Sequence, residues 1–197
     1  MYEIDENDIL IKSGTNTWNG TSREEKLLQV HNVESLYSVG NFGYISLFKV
    51  RQPFSRPRVN KIRLAGKQYN YTPGKSCRLF GHGASFQKHE NVQLQFFPAT
   101  IIDSALCNYE LRNYTLCLSS VKGGRWTRDT CYGDKGGPII QGGKSSVLIG
   151  IINTEKCGSN KGVISHIKVG SLEEELRAFS KNVNRITGLE FVSRSRR

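Results

Sequence analysis

The chain has 197 residues, 37% hydrophobic content, 20 glycines and 10% aromatics, enough for one turn-rich globular domain or two small subdomains. Its 28 basic and 17 acidic residues leave a charge of +11, but they are scattered rather than gathered on a motif with aromatics, which argues against a nucleic-acid binder. No stretch approaches the roughly 18 uninterrupted apolar residues that a membrane helix needs, and no membrane partner is expected.

Short apolar runs separated by Gly, Pro, Asn and Ser predict an all-β barrel or sandwich. In chain order the expected strands are DILIKSG (8–14), KLLQVHNV (26–33), YISLFKV (44–50), KSCRLFGHG (75–83), VQLQFFPATII (92–102), YTLCLS (114–119), GPIIQ (137–141), VLIGIIN (147–153) and GVISHIK (162–168). Between the third and fourth, RQPFSRPRVNK (51–61), with its prolines and basic residues, reads as an exposed connector between two strand clusters. The one expected helix is SLEEELRAFSKNV (171–183), with Ser171 as cap, Glu174 as its capping-box partner and Leu172, Leu176 and Phe179 as an apolar stripe. A basic tail ending SRSRR follows; the scattered charge reads as a solvated surface, or more sharply as weak attraction to polyanions such as sulfated glycans.

The five cysteines, Cys77, Cys107, Cys117, Cys131 and Cys157, are not spaced as zinc pairs and fit two disulfides plus one thiol. No metal or cofactor motif is present. Sequons at Asn19, Asn70 and Asn113 point the same way as the disulfides, toward a secreted glycoprotein. The acidic opening MYEIDENDIL is not a signal peptide, so the expectation is a fragment whose beginning is missing.

DTCYGDKGGP, residues 129–138, resembles the nucleophile loop D-S-C-Q-G-D-S-G-G-P of the trypsin-like (chymotrypsin-fold, S1) serine peptidases, with Lys135 in the place of the serine. CRLFGHG (77–83) resembles the family's C-x-V-x-G-W-G strand, and ATIIDSALCN (99–108) the strand leading to its mid-barrel disulfide. VLIGIIN…CGSNKGVISHI (147–167) resembles V-G-I-V-S-W-G…C…P-G-V-Y-T-R-V, and the likeness runs from about residue 8 to about 182. It implies a trypsin-like double β-barrel with a C-terminal helix: a partial first barrel over 1–63 lacking its opening strands, a second barrel over 64–170, the helix over 171–183 and the tail over 184–197.

The family's chemistry needs a serine whose proton passes to a histidine held by a buried aspartate, in the chain order His, Asp, Ser with gaps of about 45 and about 93 residues. Aligning N-D-I-A-L-L-K-L with GYISLFKV places Tyr44 at the aspartate position, 91 residues before Lys135. Asp8, in NDIL, is 127 residues from Lys135 and lies at a strand start. The histidine position falls before Met1, and none of His31, His82, His89 and His166 inherits the role by spacing. With Asp129 and Asp134 nearby, Lys135 is expected to pair with an acid and plug the former cleft rather than act as a base.

The resemblance carries further expectations. Asp129 would be the carboxylate at the floor of a pocket for Arg or Lys side chains, Asn153, Thr154 and Glu155 its edge strand, and Gly162 its rear wall. Glu155, replacing a glycine, would crowd the mouth. Asp134 would need a new counterion if buried. The amides of Gly133 and Lys135 would be the remnant of an oxyanion hole. The implied disulfides are Cys107 with Cys117 and Cys131 with Cys157, leaving Cys77 as a buried thiol or, less readily, an intermolecular bridge. Three functional readings stand: a secreted homologue without catalysis, serving as binding module, decoy or cofactor for a peptidase, inhibitor or substrate-like segment; a serine endopeptidase altered or truncated in this chain; or a non-functional relic.

Overall fold

In the computed structural model the described residues are 9–17, 28–39, 45–55, 59–83, 93–107, 113–120, 133–143, 145–153, 163–182 and 189–193. They fall into two units that divide between Lys61 and Ile62.

The first unit holds a three-stranded antiparallel sheet in the order β1 (Leu10–Ser13), β2 (Gln29–Val39) and β3 (Ile45–Val50). Alternation sets its two faces. His31 and Val33 of β2 are buried while Val30, Asn32 and Glu34, which alternate with them, are exposed. β2 runs six residues beyond its expected end at Val33, and a register shift between Val33 and Ser35 lets it continue against β3. Residues 51–55 lie back along β2. Gln29 donates from Nε2 to the Ser55 carbonyl (3.1 Å) and accepts the Ser55 N–H (3.0 Å), and the Arg51 N–H donates to the Asn32 carbonyl (3.0 Å).

The second unit contains a closed six-stranded barrel. Its strands run in the order β10 (Val163–Lys168), β7 (Thr115–Ser120), β6 (Gln95–Ile101), β5 (Ser76–Gly81), β8 (Pro138–Gln141) and β9 (Val147–Ile151), and β9 pairs back onto β10. Every other residue points inward: Cys77 and Leu79, Ala99 and Ile101, Leu116 and Leu118, and Val147 and Ile149, which with Ile139 and Ile152 make the core. Burying each such aliphatic side chain contributes about 1.5–3 kcal/mol before entropy is counted. The all-β expectation holds.

Two short strands escaped the sequence pattern. β4 (Arg63–Ala65) pairs in parallel with β9, and β11 (Phe191–Val192) pairs in parallel with β4. Helix α1 (Glu173–Asn182) follows a 3₁₀ turn over Val169–Leu172. The expected cap is corrected here. Ser171 sits inside the 3₁₀ turn rather than at the residue flanking the helix, which starts at Glu173, and its hydroxyl donates back to the Lys168 carbonyl (2.6 Å). Glu174 reaches the Lys67 ammonium (2.6 Å) and Glu173 accepts the Lys67 N–H (2.6 Å) and the Arg177 guanidinium (2.7 Å). The Lys67 N–H, first among these, holds the Glu173 carboxyl below its ordinary range. Leu172 and Leu176 are buried as expected.

Candidate functional site

The glycine turn before β8 carries the site. The Gly137 N–H donates to the Asp134 carbonyl (2.9 Å), and Gly136 at the third turn position has φ 88°, the left-handed conformation that a type II turn requires there. Gly133, just before, has the same φ of 88°. The turn is fixed to the end of β9, since the Gly136 N–H donates to the Ile152 carbonyl (2.9 Å) and the Ile152 N–H to that of Gly137 (2.9 Å). A side chain at Gly137 would lie 2.4 Å from the Phe80 carbonyl, so the backbone approaches as closely as glycine allows.

Asp134 points inward and is 4% exposed. A buried carboxylate costs several kcal/mol unless it is hydrogen-bonded, and here Oδ1 accepts the Gly83 N–H at 2.8 Å. Gly81 makes the room: a Cβ there would stand 1.8 Å from Asp134 Oδ1 and 2.7 Å from Cγ. The two glycines of CRLFGHG thus form the seat of the acid, one by lacking a side chain and the other by offering an amide. The sequence reading matched these glycines without assigning them that work; their spacing was the available signal.

Lys135 is exposed, and among the described residues no ion pair joins it. The turn aims Asp134 into the protein and leaves the adjacent Lys135 side chain exposed, while Asp129, the other acid expected to pair with it, lies outside the described residues. Asn153, directly after Ile152, is exposed as well. Tyr44, Asp129, Cys131, Thr154, Glu155, Cys157, Gly162 and the sequon Asn19 lie outside the described residues. Asn70 and Asn113 are exposed.

Cys107 and Cys117 form a disulfide, Cα to Cα 5.7 Å, tying the 3₁₀ turn after β6 to β7. Cys77 is a buried thiol whose Sγ donates to the Ala99 carbonyl (3.6 Å), and burial pushes its pKa up to about 12, so little thiolate exists at neutral pH. The Arg78–Ile140 pairing sets Gln141 beside it. Gln141 accepts the Tyr69 hydroxyl (2.8 Å) and donates to the Ser76 carbonyl (3.3 Å).

Two histidines are buried, in different states. His31 Nδ1 lies 3.0 Å from the Gln52 carbonyl and Nε2 2.8 Å from Ser13 Oγ. His166, on β10, has no partner at either ring nitrogen among the described residues, and burial lowers its pKa to about 4. Among the described residues no cluster of three metal-ligating side chains occurs, and no helix is long and apolar enough to cross a membrane.

Residues 3–173 match the Trypsin family. The chain is 23% identical over 163 residues to trypsin alpha of Drosophila erecta, covering 78% of this chain and 60% of that protein. It is 28% identical over 151 residues to a trypsin of Xenopus laevis, covering 73% and 58% respectively. It is also 26% identical over 152 residues to glucanase inhibitor protein 2 of Phytophthora sojae, covering 71% and 50%. The chain therefore spans between half and about 60% of the length of these curated relatives.

Proposed function

The chain belongs to the trypsin family of serine endopeptidases, and from that membership we propose that it acts by binding and not by cleavage. The carrying observation is Lys135. The frame that presents the family's nucleophile is intact here, with positive φ at Gly133 and Gly136, Asp134 seated inward and the turn hydrogen-bonded to the end of β9. At its apex stands an exposed ammonium side chain instead of a hydroxyl. A lysine has no hydroxyl to form the acyl ester that the family's chemistry passes through. Tyr44, at the aspartate position by alignment, has no carboxylate to orient a base. Two positions of the triad thus fall within this chain, and both carry a residue that cannot do the required step.

What the frame retains is suited to recognition. By the family resemblance, the amides of Gly133 and Lys135 would serve as an anion-accepting pair, and Asp129 and Glu155 align with pocket positions whose carboxylates would suit a basic side chain of a partner. The partner class is a protein: a peptidase, an inhibitor, or a substrate-like segment bearing Arg or Lys. One relative, named as a glucanase inhibitor, supports a binding role on this fold. The disulfide, the exposed sequon asparagines Asn70 and Asn113 and the family membership support a secreted glycoprotein. The basic surface of net charge +11 adds attraction to polyanions.

The test is hydrolysis of peptide amides ending in Arg or Lys by the purified chain. No release above buffer is expected. Turnover that survives removal of contaminants would favour the endopeptidase reading and overturn this one.

A further inference from the structure

Ser13, His31 and the carbonyl of Gln52 stand in line within the first unit, at 2.8 Å and 3.0 Å. A carbonyl only accepts, so His31 Nδ1 carries the proton and Nε2 is left with its lone pair toward Ser13 Oγ. The hydroxyl then donates to the imidazole. This is the relation of a nucleophile to its base, with a third group orienting the base.

The supports are built. His31 is 2% exposed, in the middle of the paired stretch of β2, and the Phe54 ring lies 4.4 Å from its own. The segment that supplies the Gln52 carbonyl is held by both bonds between Gln29 and Ser55 and by the Arg51 N–H on Asn32, and Gln52 Oε1 accepts the Asn32 N–H at 3.3 Å. Ser13 ends β1, an edge strand, and is half-buried rather than sealed; Gly14, with φ 79°, turns the chain away immediately after it.

We propose that Ser13 is a reactive serine, with His31 as its base and the Gln52 carbonyl as positioning group, which takes the acyl group of small activated esters. In the step Oγ bonds to the ester carbonyl carbon, the bond from that carbon to the aryl oxygen breaks, and the hydroxyl proton passes through His31 Nε2 to the departing phenolate. Aryl esters suit the pair because a phenolate leaves without the strong acid assistance an amine requires. Nothing in the family's own site is involved, so the proposal stands apart from the binding role above.

The experiment is p-nitrophenyl acetate mixed with the full chain, reading p-nitrophenolate release and locating the acetyl group by peptide mass spectrometry. The expected result is a burst of about one equivalent, with acetyl on Ser13, absent in Ser13→Ala and slowed at least about 100-fold in His31→Gln, the low end of what a positioned base supplies. No burst, acetyl mapped elsewhere, or a burst unchanged in Ser13→Ala would overturn the proposal whether or not His31→Gln folds. Peptide-amide cleavage without Ser13 acetylation would instead overturn the non-catalytic reading as well as this one, which keeps the two distinguishable.

Discussion

His166 lies within β10 opposite Leu116 of β7, 2% exposed, with both ring nitrogens unpartnered among the described residues. Burial holds its pKa at about 4, against the ordinary histidine value of 6.5 that an unfolded chain would show. Because the folded value is the lower one, the unfolded chain binds the proton first. Stability is therefore full above about pH 6.5, falls as pH drops through the interval, and stops falling near pH 4. A gap of about 2.5 units at about 1.36 kcal/mol each makes a total loss of about 3 kcal/mol, of which about 2 kcal/mol is already gone at pH 5. His166→Leu removes both the titration and two unsatisfied polar atoms at similar volume, so at pH 7.5 the variant should be at least as stable as the parent. Urea unfolding of both proteins at pH 7.5 and 5.0 isolates the effect, since contributions from every other group cancel in the comparison. The parent is expected to lose about 2 kcal/mol more than the variant between the two pH values. Equal losses in both proteins would refute the reasoning.

Gly81→Ala puts a methyl group where Asp134 Oδ1 now sits; the carboxylate must give up the Gly83 N–H, and destabilisation of about 2–3 kcal/mol is expected in urea. An unchanged midpoint would contradict the seat described for Asp134. Gln141→Cys should oxidise onto Cys77, closing a loop of 64 residues, and stabilise by about 2–4 kcal/mol less about 1 kcal/mol for the lost Tyr69 hydrogen bond; a non-reducing peptide map without the 77–141 link would count against the register of β5 and β8. Lys135→Ser alone should leave amidase activity undetectable, because Tyr44 still stands at the aspartate position; measurable turnover by that single variant would contradict the assignment at Tyr44.

The barrel was legible because its strands announce themselves locally. SCRLFG and VLIGI alternate or run apolar between glycines, and a period of two or a buried run reads directly as a strand. β4 and β11 give no such signal: three and two residues long, they are strands only because distant partners complete them. The helix start shows the same limit from the other side. Ser171 and Glu174 spell a capping box, but Lys67, more than a hundred positions earlier in sequence, takes the acids, and a turn of 3₁₀ helix takes the serine. At the site, the glycine loop was legible as a motif, whereas the inward carboxylate with an outward lysine depended on how the turn faces Gly81 and Gly83. Ser13 and His31 lie 18 residues apart on adjacent strands, a spacing that carries no chemical signature in one dimension.

The placing of β4 between β9 and β11 also sets an order of assembly. Arg63–Ala65 leaves the ribosome first among the strands of the second unit, yet its two neighbours begin at Val147 and Phe191. Neither partner exists when it emerges, and loop closure across so many residues makes its docking a late event. Removing Phe191 and Val192 would thus uncover one side of β4 and loosen the unit at its opening strand.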